Sequence, residues 1–123
     1  MKRNMKQWLA ELKNAKVKKP LPVLSFPGIQ LMNVTVRDLI GNSDLQAQCM
    51  KAVADRADTA ASVSFMDLSV EAECFGSTIR VSDDEVPTVI GAIIEDEDDA
   101  DNLKVPEVGT GRSGIYVEAI AKV

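Results

Sequence analysis

The sequence has no histidine and only two cysteines among its 123 residues. Histidine is the commonest metal ligand and the commonest general base near neutral pH, so its absence argues against a self-contained zinc site or a histidine-based triad. Cys49 and Cys74 are isolated in the chain, and the N-terminus shows no secretory signal. We therefore expect two buried free thiols rather than a disulfide, in a cytoplasmic setting.

Long apolar runs are also missing. No stretch reaches the roughly 18 apolar residues of a membrane span. Residues 5–12 are too short and too polar for the apolar core of a signal peptide. We expect no membrane partner.

Charge is unevenly distributed around a net value of −5. Residues 1–20 are basic and residues 95–101 read EDEDDAD. Without that acidic run, the remaining chain, residues 1–20 included, is nearly neutral. This balance gives little support to general nucleic-acid binding, and the basic residues of the first 20 are interpreted as the solvent face of a helix rather than as a membrane-surface or RNA-binding helix. The acidic run lacks the glycine and glutamate spacing of a calcium loop, so we interpret it as the acid-rich first turn of a small helix.

The N-terminal half predicts a helix and a β–α–β unit. Residues 1–20 form an amphipathic helix and connector, in which Met5, Trp8, Leu9 and Leu12 share one face and Trp8 serves as a core anchor. Residues 21–123 form a second unit, which begins with a strand over Leu21–Phe26. Thr35 and Asp38 predict a capping box, and Ser43 is the predicted cap of a helix that runs to Ala57.

Residues 58–76 combine a strand, an acid and a short helix. The small and β-branched residues from Asp58 to Val63, extended by Phe65 and Met66, predict a buried strand parallel to the first, with a right-handed crossover. Asp67 follows at its C-terminal end, where α/β folds place their chemistry. Residues 68–75 have helical spacing, and Gly76 is a helix stop.

The remainder predicts a hairpin and a last helix. Thr78–Val81 and Val86–Ile90 are short strands around a polar turn, which gives a hairpin over 78–90. GTGRSG at 109–114 contains Gly-x-Gly, but no strand precedes it and no lysine follows, so it is a weak phosphate-binding signal. Ser113 is the predicted cap of a final helix with Ile115, Ala119 and Ile120 on one face.

A family resemblance rests on FMDLSVEAECFGSTIRVSDDEVPTV, the acid-rich helix, LKVP and a Gly-Arg before a helix. These residues resemble the uroporphyrinogen decarboxylase superfamily, and within it the cobalamin-dependent methyltransferases of the methylcobamide:coenzyme M type. The resemblance implies the N-terminal part of a (β/α)8 barrel, an α/β fold usually of about 250 residues, with an inserted hairpin and incomplete in this chain. Asp67 matches the essential aspartate of the decarboxylases.

The resemblance also implies a reaction and its cofactors. Decarboxylases carry an arginine-rich run after the first strand, whereas this chain has SFPGIQLMNV and no arginine between Arg3 and Arg37. This difference favours methyl transfer between a corrinoid and a thiol or similar acceptor. The complete family member would use zinc and a corrinoid, and its partner would be a corrinoid protein or a small methyl donor or acceptor. No cofactor ligand is expected within this chain.

Three site residues have two interpretations each. Asp67 is either a catalytic carboxylate at the barrel mouth or an N-cap for the helix that follows. Gln30 and Asn33 either contact substrate or are simple turn residues.

Two further functions stay open. One is a decarboxylase acting on a substrate other than a porphyrinogen. The other is a non-catalytic piece that associates with a partner, or with copies of itself, through exposed strand edges. We expect the 123-residue chain to be catalytically inactive by itself.

Overall fold

The computed structural model describes residues 3–23 and 25–123. The helices are α1 (Met5–Asn14), α2 (Ile29–Met32), α3 (Val36–Ile40), α4 (Ser43–Ala57), α5 (Ser69–Cys74), α6 (Glu97–Asp101) and α7 (Arg112–Lys122), and a 3-10 turn spans Phe26–Gly28. The strands β1 (Thr78–Arg80) and β2 (Thr88–Ile90) form the hairpin. Met1, Lys2 and Leu24 lie outside the described residues, together with the predictions that fall on them. Each described helix is shorter or more polar than a bilayer span requires.

The hairpin and most helices agree with the sequence predictions. β1 and β2 pair antiparallel with Ile79 opposite Val89. The capping box is present, because the side chains of Thr35 and Asp38 each accept a backbone N–H of the other residue. Gly76 follows α5 with a φ of 102°, a backbone conformation that glycine adopts without a steric penalty.

The prediction of two parallel β-strands is wrong, because the two segments form no β-ladder. Among the described residues, neither Leu21–Phe26 nor Asp58–Met66 is β-strand. The segments still run side by side in the same direction: the Ala60 N–H donates to the Pro20 carbonyl at 2.8 Å, and the Ser25 hydroxyl donates to the Val63 carbonyl at 2.7 Å. Pro20 and Pro22 have no N–H to donate, which limits regular pairing along the first segment.

The second segment nevertheless behaves as an extended chain. Burial alternates from residue 62 to residue 69, so that Val63, Phe65, Asp67 and Ser69 point inward and their neighbours point outward. This alternation is the side-chain period of an extended backbone. It places the Asp67 side chain on the same inner face as Phe65.

Two helix starts differ from the prediction. Asn42, not Ser43, caps α4, because its side chain accepts the N–H groups of Asp44 and Leu45. Ser43 is the first helical residue, and its hydroxyl donates to Glu118 in α7. Similarly, α7 begins at Arg112 rather than after Ser113, and Gly111 occupies its cap position without a side-chain bond.

The core forms where α4 meets the turn at 26–28, α3 and the extended segment. Leu39, Cys49, Met50 and Phe65 make the buried cluster. The Phe26 ring packs edge-on against Phe65 with ring centroids 4.9 Å apart. α7 packs along α4 and buries Ala119.

Trp8 is not a core anchor, which corrects the sequence interpretation. α1 buries none of its residues, and Met5 and Leu9 are about half exposed at 55% and 49%. Trp8 is half-buried and borders a groove that is also lined by Val17 and Leu21, which follow α1 in the chain. Trp8 and Leu12 of α1 therefore face this groove, and α1 contributes no buried residue to the core.

Candidate functional site

The Asp67 carboxylate is enclosed and fully hydrogen-bonded. Its side chain is 0% exposed. One oxygen, Oδ1, accepts the Ser69 N–H at 3.0 Å and the Ser69 hydroxyl at 2.6 Å. The other, Oδ2, accepts Arg112 Nη1 at 2.6 Å and the Tyr116 hydroxyl at 2.7 Å. A carboxylate has about four acceptor positions, and these four donors occupy them.

Arg112 joins this carboxylate to α5. Its guanidinium also donates to the Ser69 hydroxyl at 2.9 Å and to the Glu73 carboxylate, and the arginine side chain is only 12% exposed. The result is a buried ion pair whose charges are satisfied on both sides. Such a pair specifies geometry, and removal of either partner leaves an uncompensated charge.

The hydrogen bonds and charges around Asp67 and Arg112 keep both side chains ionised. Burial alone would raise the pKa of Asp67, but hydrogen bonds from Ser69, Tyr116 and Arg112 outweigh it and hold that pKa below its usual value. Burial would lower the pKa of Arg112, but the bonds to Asp67 and Glu73 raise it. Burial and the adjacent Asp67 raise the pKa of Tyr116, which therefore stays a neutral donor.

This geometry limits what Asp67 can do chemically. A carboxylate with a lowered pKa and no free acceptor position is a poor general base. It is suited to act through a fixed negative charge. Its predicted role as an N-cap is met only in part: α5 begins at Ser69, whose N–H it accepts, while Leu68 occupies the cap position. Its catalytic role remains a prediction.

A cavity of about 600 Å³ lies beside the Asp67 segment. It is lined by residues of the 23–30 turn, α3, the 66–68 segment and the hairpin loop: Val23, Ser25, Phe26, Pro27, Ile29, Gln30, Val36, Met66, Leu68, Asp84, Val86 and Pro87. Among the described residues that line the cavity, Asp84 is the one with an ionisable side chain. A volume of this size matches a drug-sized ligand.

A smaller hollow of about 230 Å³ lies along the same segment and shares Met66 and Leu68 with the cavity. Asp67 contributes to its wall. Because the residue is 6% exposed while its side chain is 0% exposed, the exposed part is its main chain. The Asp67 charge therefore lies behind the wall rather than in the opening.

The structure separates the other two predicted site residues. Gln30 lies on α2, is exposed, and lines the larger cavity. Asn33 ends α2 with a φ of 54°, is exposed, and is not part of that lining. Substrate contact by either residue remains a prediction.

Sequence reasoning missed the partners of Asp67. Arg112 and Tyr116 are one turn apart on α7, about 45 positions along the chain from the acid. Two signals were available: a Gly-Arg pair that opens a helix and the chain's single tyrosine four residues later. Neither feature predicts which carboxylate Arg112 contacts.

The described residues do not fit a zinc site. No group of three or more histidine, cysteine or carboxylate side chains in residues 3–23 and 25–123 is placed to hold a metal ion. Burial raises the pKa of the Cys49 thiol to about 11, so it stays protonated. The Cys74 thiol donates to the Thr110 carbonyl at 3.0 Å. Both are free cysteines, as predicted, although Cys74 is only half-buried.

The comparisons with known proteins agree with the resemblance at its coarser level. The profile of the uroporphyrinogen decarboxylase (URO-D) family matches residues 23–123. No curated protein and no solved structure matches the chain. The match covers the turn at Phe26–Gly28, the Asp67 segment, the hairpin and α7, which together build the site. The chain therefore belongs to the uroporphyrinogen decarboxylase family.

Proposed function

We propose that this chain is the N-terminal portion of a URO-D-like methyltransferase that moves a methyl group between a corrinoid and a thiol or similar acceptor. The observation that carries the proposal is the cavity next to Asp67, whose described lining contains no basic side chain. A site for a substrate with many carboxylates needs guanidinium or ammonium groups. This cavity offers apolar walls and one carboxylate, Asp84.

The basic residue that follows Val36 of the cavity lining already has hydrogen-bond partners. Arg37 on α3 donates to the Asp83 carboxylate at 2.9 Å and to the Val81 carbonyl at 3.0 Å. It would have to break both bonds to reach a ligand, and it is not part of the cavity lining. The arrangement therefore disfavours a porphyrinogen and favours a less charged, methyl-bearing group.

We assign roles to the predicted residues on this basis. Asp67 contributes a fixed negative charge behind the wall that Met66 and Leu68 form. Gln30 contacts substrate in the cavity through its amide. Asn33 contacts only a part of the substrate that extends beyond the cavity.

The methyl donor is a separate molecule, and the zinc ligands lie outside the described residues. The corrinoid is a substrate, delivered by a corrinoid protein or as a free small molecule. Thiol activation by zinc, which the family implies, would need ligands that the described residues do not provide, so we derive no step through zinc. The two free thiols support a reducing, cytoplasmic setting.

A paired assay tests the proposal on the full-length protein. Methylcobalamin and 2-mercaptoethanesulfonate are supplied in one arm, and thioether formation is measured. Uroporphyrinogen is supplied in the other arm, and CO₂ release is measured. We expect thioether formation only. CO₂ release without methyl transfer would overturn the proposal and favour a decarboxylase.

A second candidate function, a partner-binding piece without catalysis, is favoured by the hairpin. Its two strands carry exposed apolar side chains, with Val89 and Ile90 exposed at 38% and 47%. In a two-stranded sheet each strand has one edge without a strand partner. Sedimentation equilibrium of the chain and of Val89→Lys tests this candidate. A dimer that dissociates in the lysine variant would support association of the chain with copies of itself through the hairpin, and a monomeric wild-type chain would contradict that association.

A further inference from the structure

The geometry points to Arg112 and Tyr116 as positioning residues that fix the orientation and the charge of the Asp67 carboxylate. This inference rests on the proposed function for its consequence in catalysis, but its structural part stands on the contacts alone. Both side chains come from one face of α7 and converge on the same oxygen, Oδ2, at 2.6 and 2.7 Å.

The alternative explanation is that Arg112 only fastens α7 to α5. The structure offers a way to separate the two explanations, because Arg112 has a second carboxylate partner. Its Nε donates to Glu73 on α5, whereas its Nη1 donates to Asp67. Loss of the Glu73 bond would weaken the attachment of α7 and leave all four donors on Asp67 in place.

The positions of the donors support orientation rather than attachment alone. Ser69 fixes Oδ1 from within the same segment, and α7 fixes Oδ2 from outside. With one oxygen held from each side, the carboxylate cannot rotate about its terminal bond without breaking contacts on both oxygens. A charge that acts through the wall of a site has to be held in this way, because catalysis by a fixed charge depends on its preorganisation.

Three variants test the inference: Arg112→Met, Tyr116→Phe and, as the matched control, Glu73→Gln. The Asp67 carboxyl carbon is titrated by NMR in the 123-residue chain, and folding is followed by circular dichroism. We expect Arg112→Met and Tyr116→Phe each to raise the pKa of Asp67 by about one pH unit, because each removes a donor to the charged form. Glu73→Gln should leave that pKa within about 0.3 pH units, even though it destabilises the fold.

Two results would overturn the inference: an equal change in Glu73→Gln, or no change in Tyr116→Phe. If Arg112→Met does not fold, the pKa of Asp67 in Tyr116→Phe still tests the inference, since this variant deletes one hydroxyl and keeps the ring. In the full-length protein we expect Tyr116→Phe to lower kcat for methyl transfer about tenfold with little change in KM. If wild-type protein transfers no methyl group, the proposed function fails, and the NMR titration still decides the positioning role.

Discussion

Asp67 is a residue whose burial depends on its partners. Asp67→Asn keeps the shape of the side chain, removes its charge and leaves Arg112 buried with Glu73 alone. We expect the free energy of unfolding to fall by about 3 kcal/mol, the usual result of breaking one side of a buried ion pair. Urea denaturation measures the change. The control, Asp84→Asn, alters an exposed carboxylate and should change stability by less than about 0.5 kcal/mol. Equal losses in the two variants would contradict the prediction.

The same carboxylate predicts an acid-dependent stability. The pKa of Asp67 is lowered in the folded protein from an ordinary value of 3.8. Its contribution to stability is therefore complete above about pH 4 and is lost as the pH falls through the lowered folded-state value. Urea denaturation between pH 6 and pH 2 should show a steeper loss of stability at the acidic end for wild type than for Asp67→Asn. Parallel curves for the two proteins would rule out Asp67 as the source.

At the scale of elements, the turn at Phe26–Gly28 packs unusually close to α4. A Cβ on Gly28 would lie 2.5 Å from Cys49 Sγ and 2.7 Å from Val53 Cγ2. We expect Gly28→Ala to destabilise the protein by about 1–3 kcal/mol, because the turn and α4 must separate. Thermal and urea denaturation measure the effect. Gly41→Ala is the control, since its nearest neighbour would be 3.9 Å away. A similar loss in the control would show that the cause is not this close contact.

Local patterns predicted elements well where a short stretch of sequence decides the structure. The Thr35–Asp38 capping box and the glycine stop at Gly76 are examples. The cap of α4 was misplaced by one residue, because Asn42 and Ser43 are both good caps and the deciding contact comes from far away. The Ser43 hydroxyl donates to Glu118 and accepts from Lys122, which lie 75 and 79 positions along the chain.

Features that depend on distant residues could not be predicted. The sequence identified Asp67 as a site candidate from its place after an apolar segment. It did not identify Arg112 as its partner, because no periodic pattern links positions so far apart. The expected parallel ladder was wrong for a local reason: apolar residues predicted its segments, but pairing also needs N–H donors, which Pro20 and Pro22 lack.

At the scale of the whole molecule, α1 and the core are expected to unfold separately. α1 buries no residue and carries Trp8, the chain's single tryptophan. Its release exposes little apolar area, so it should occur under milder conditions than core unfolding. We expect tryptophan fluorescence to change at a lower urea concentration than far-ultraviolet circular dichroism.

The single tyrosine provides the control for this experiment. In a Trp8→Phe protein, the fluorescence of Tyr116 reports on the buried network around Asp67. That signal should change together with circular dichroism. If Trp8 fluorescence and circular dichroism coincide in wild type, α1 unfolds with the core and the prediction is wrong.

The ion pair between Asp67 and Arg112 also has a consequence during synthesis. The two residues are 45 positions apart in the chain. At a translation rate of about 5–20 residues per second, Arg112 is added roughly 2–9 s after Asp67. Until then a buried Asp67 would be an unpaired charge, and the segment that carries it should stay open to water with Phe65 exposed. We therefore expect a period during synthesis in which this core phenylalanine is available to chaperones, and we expect that period to end when α7 packs against the Asp67 segment.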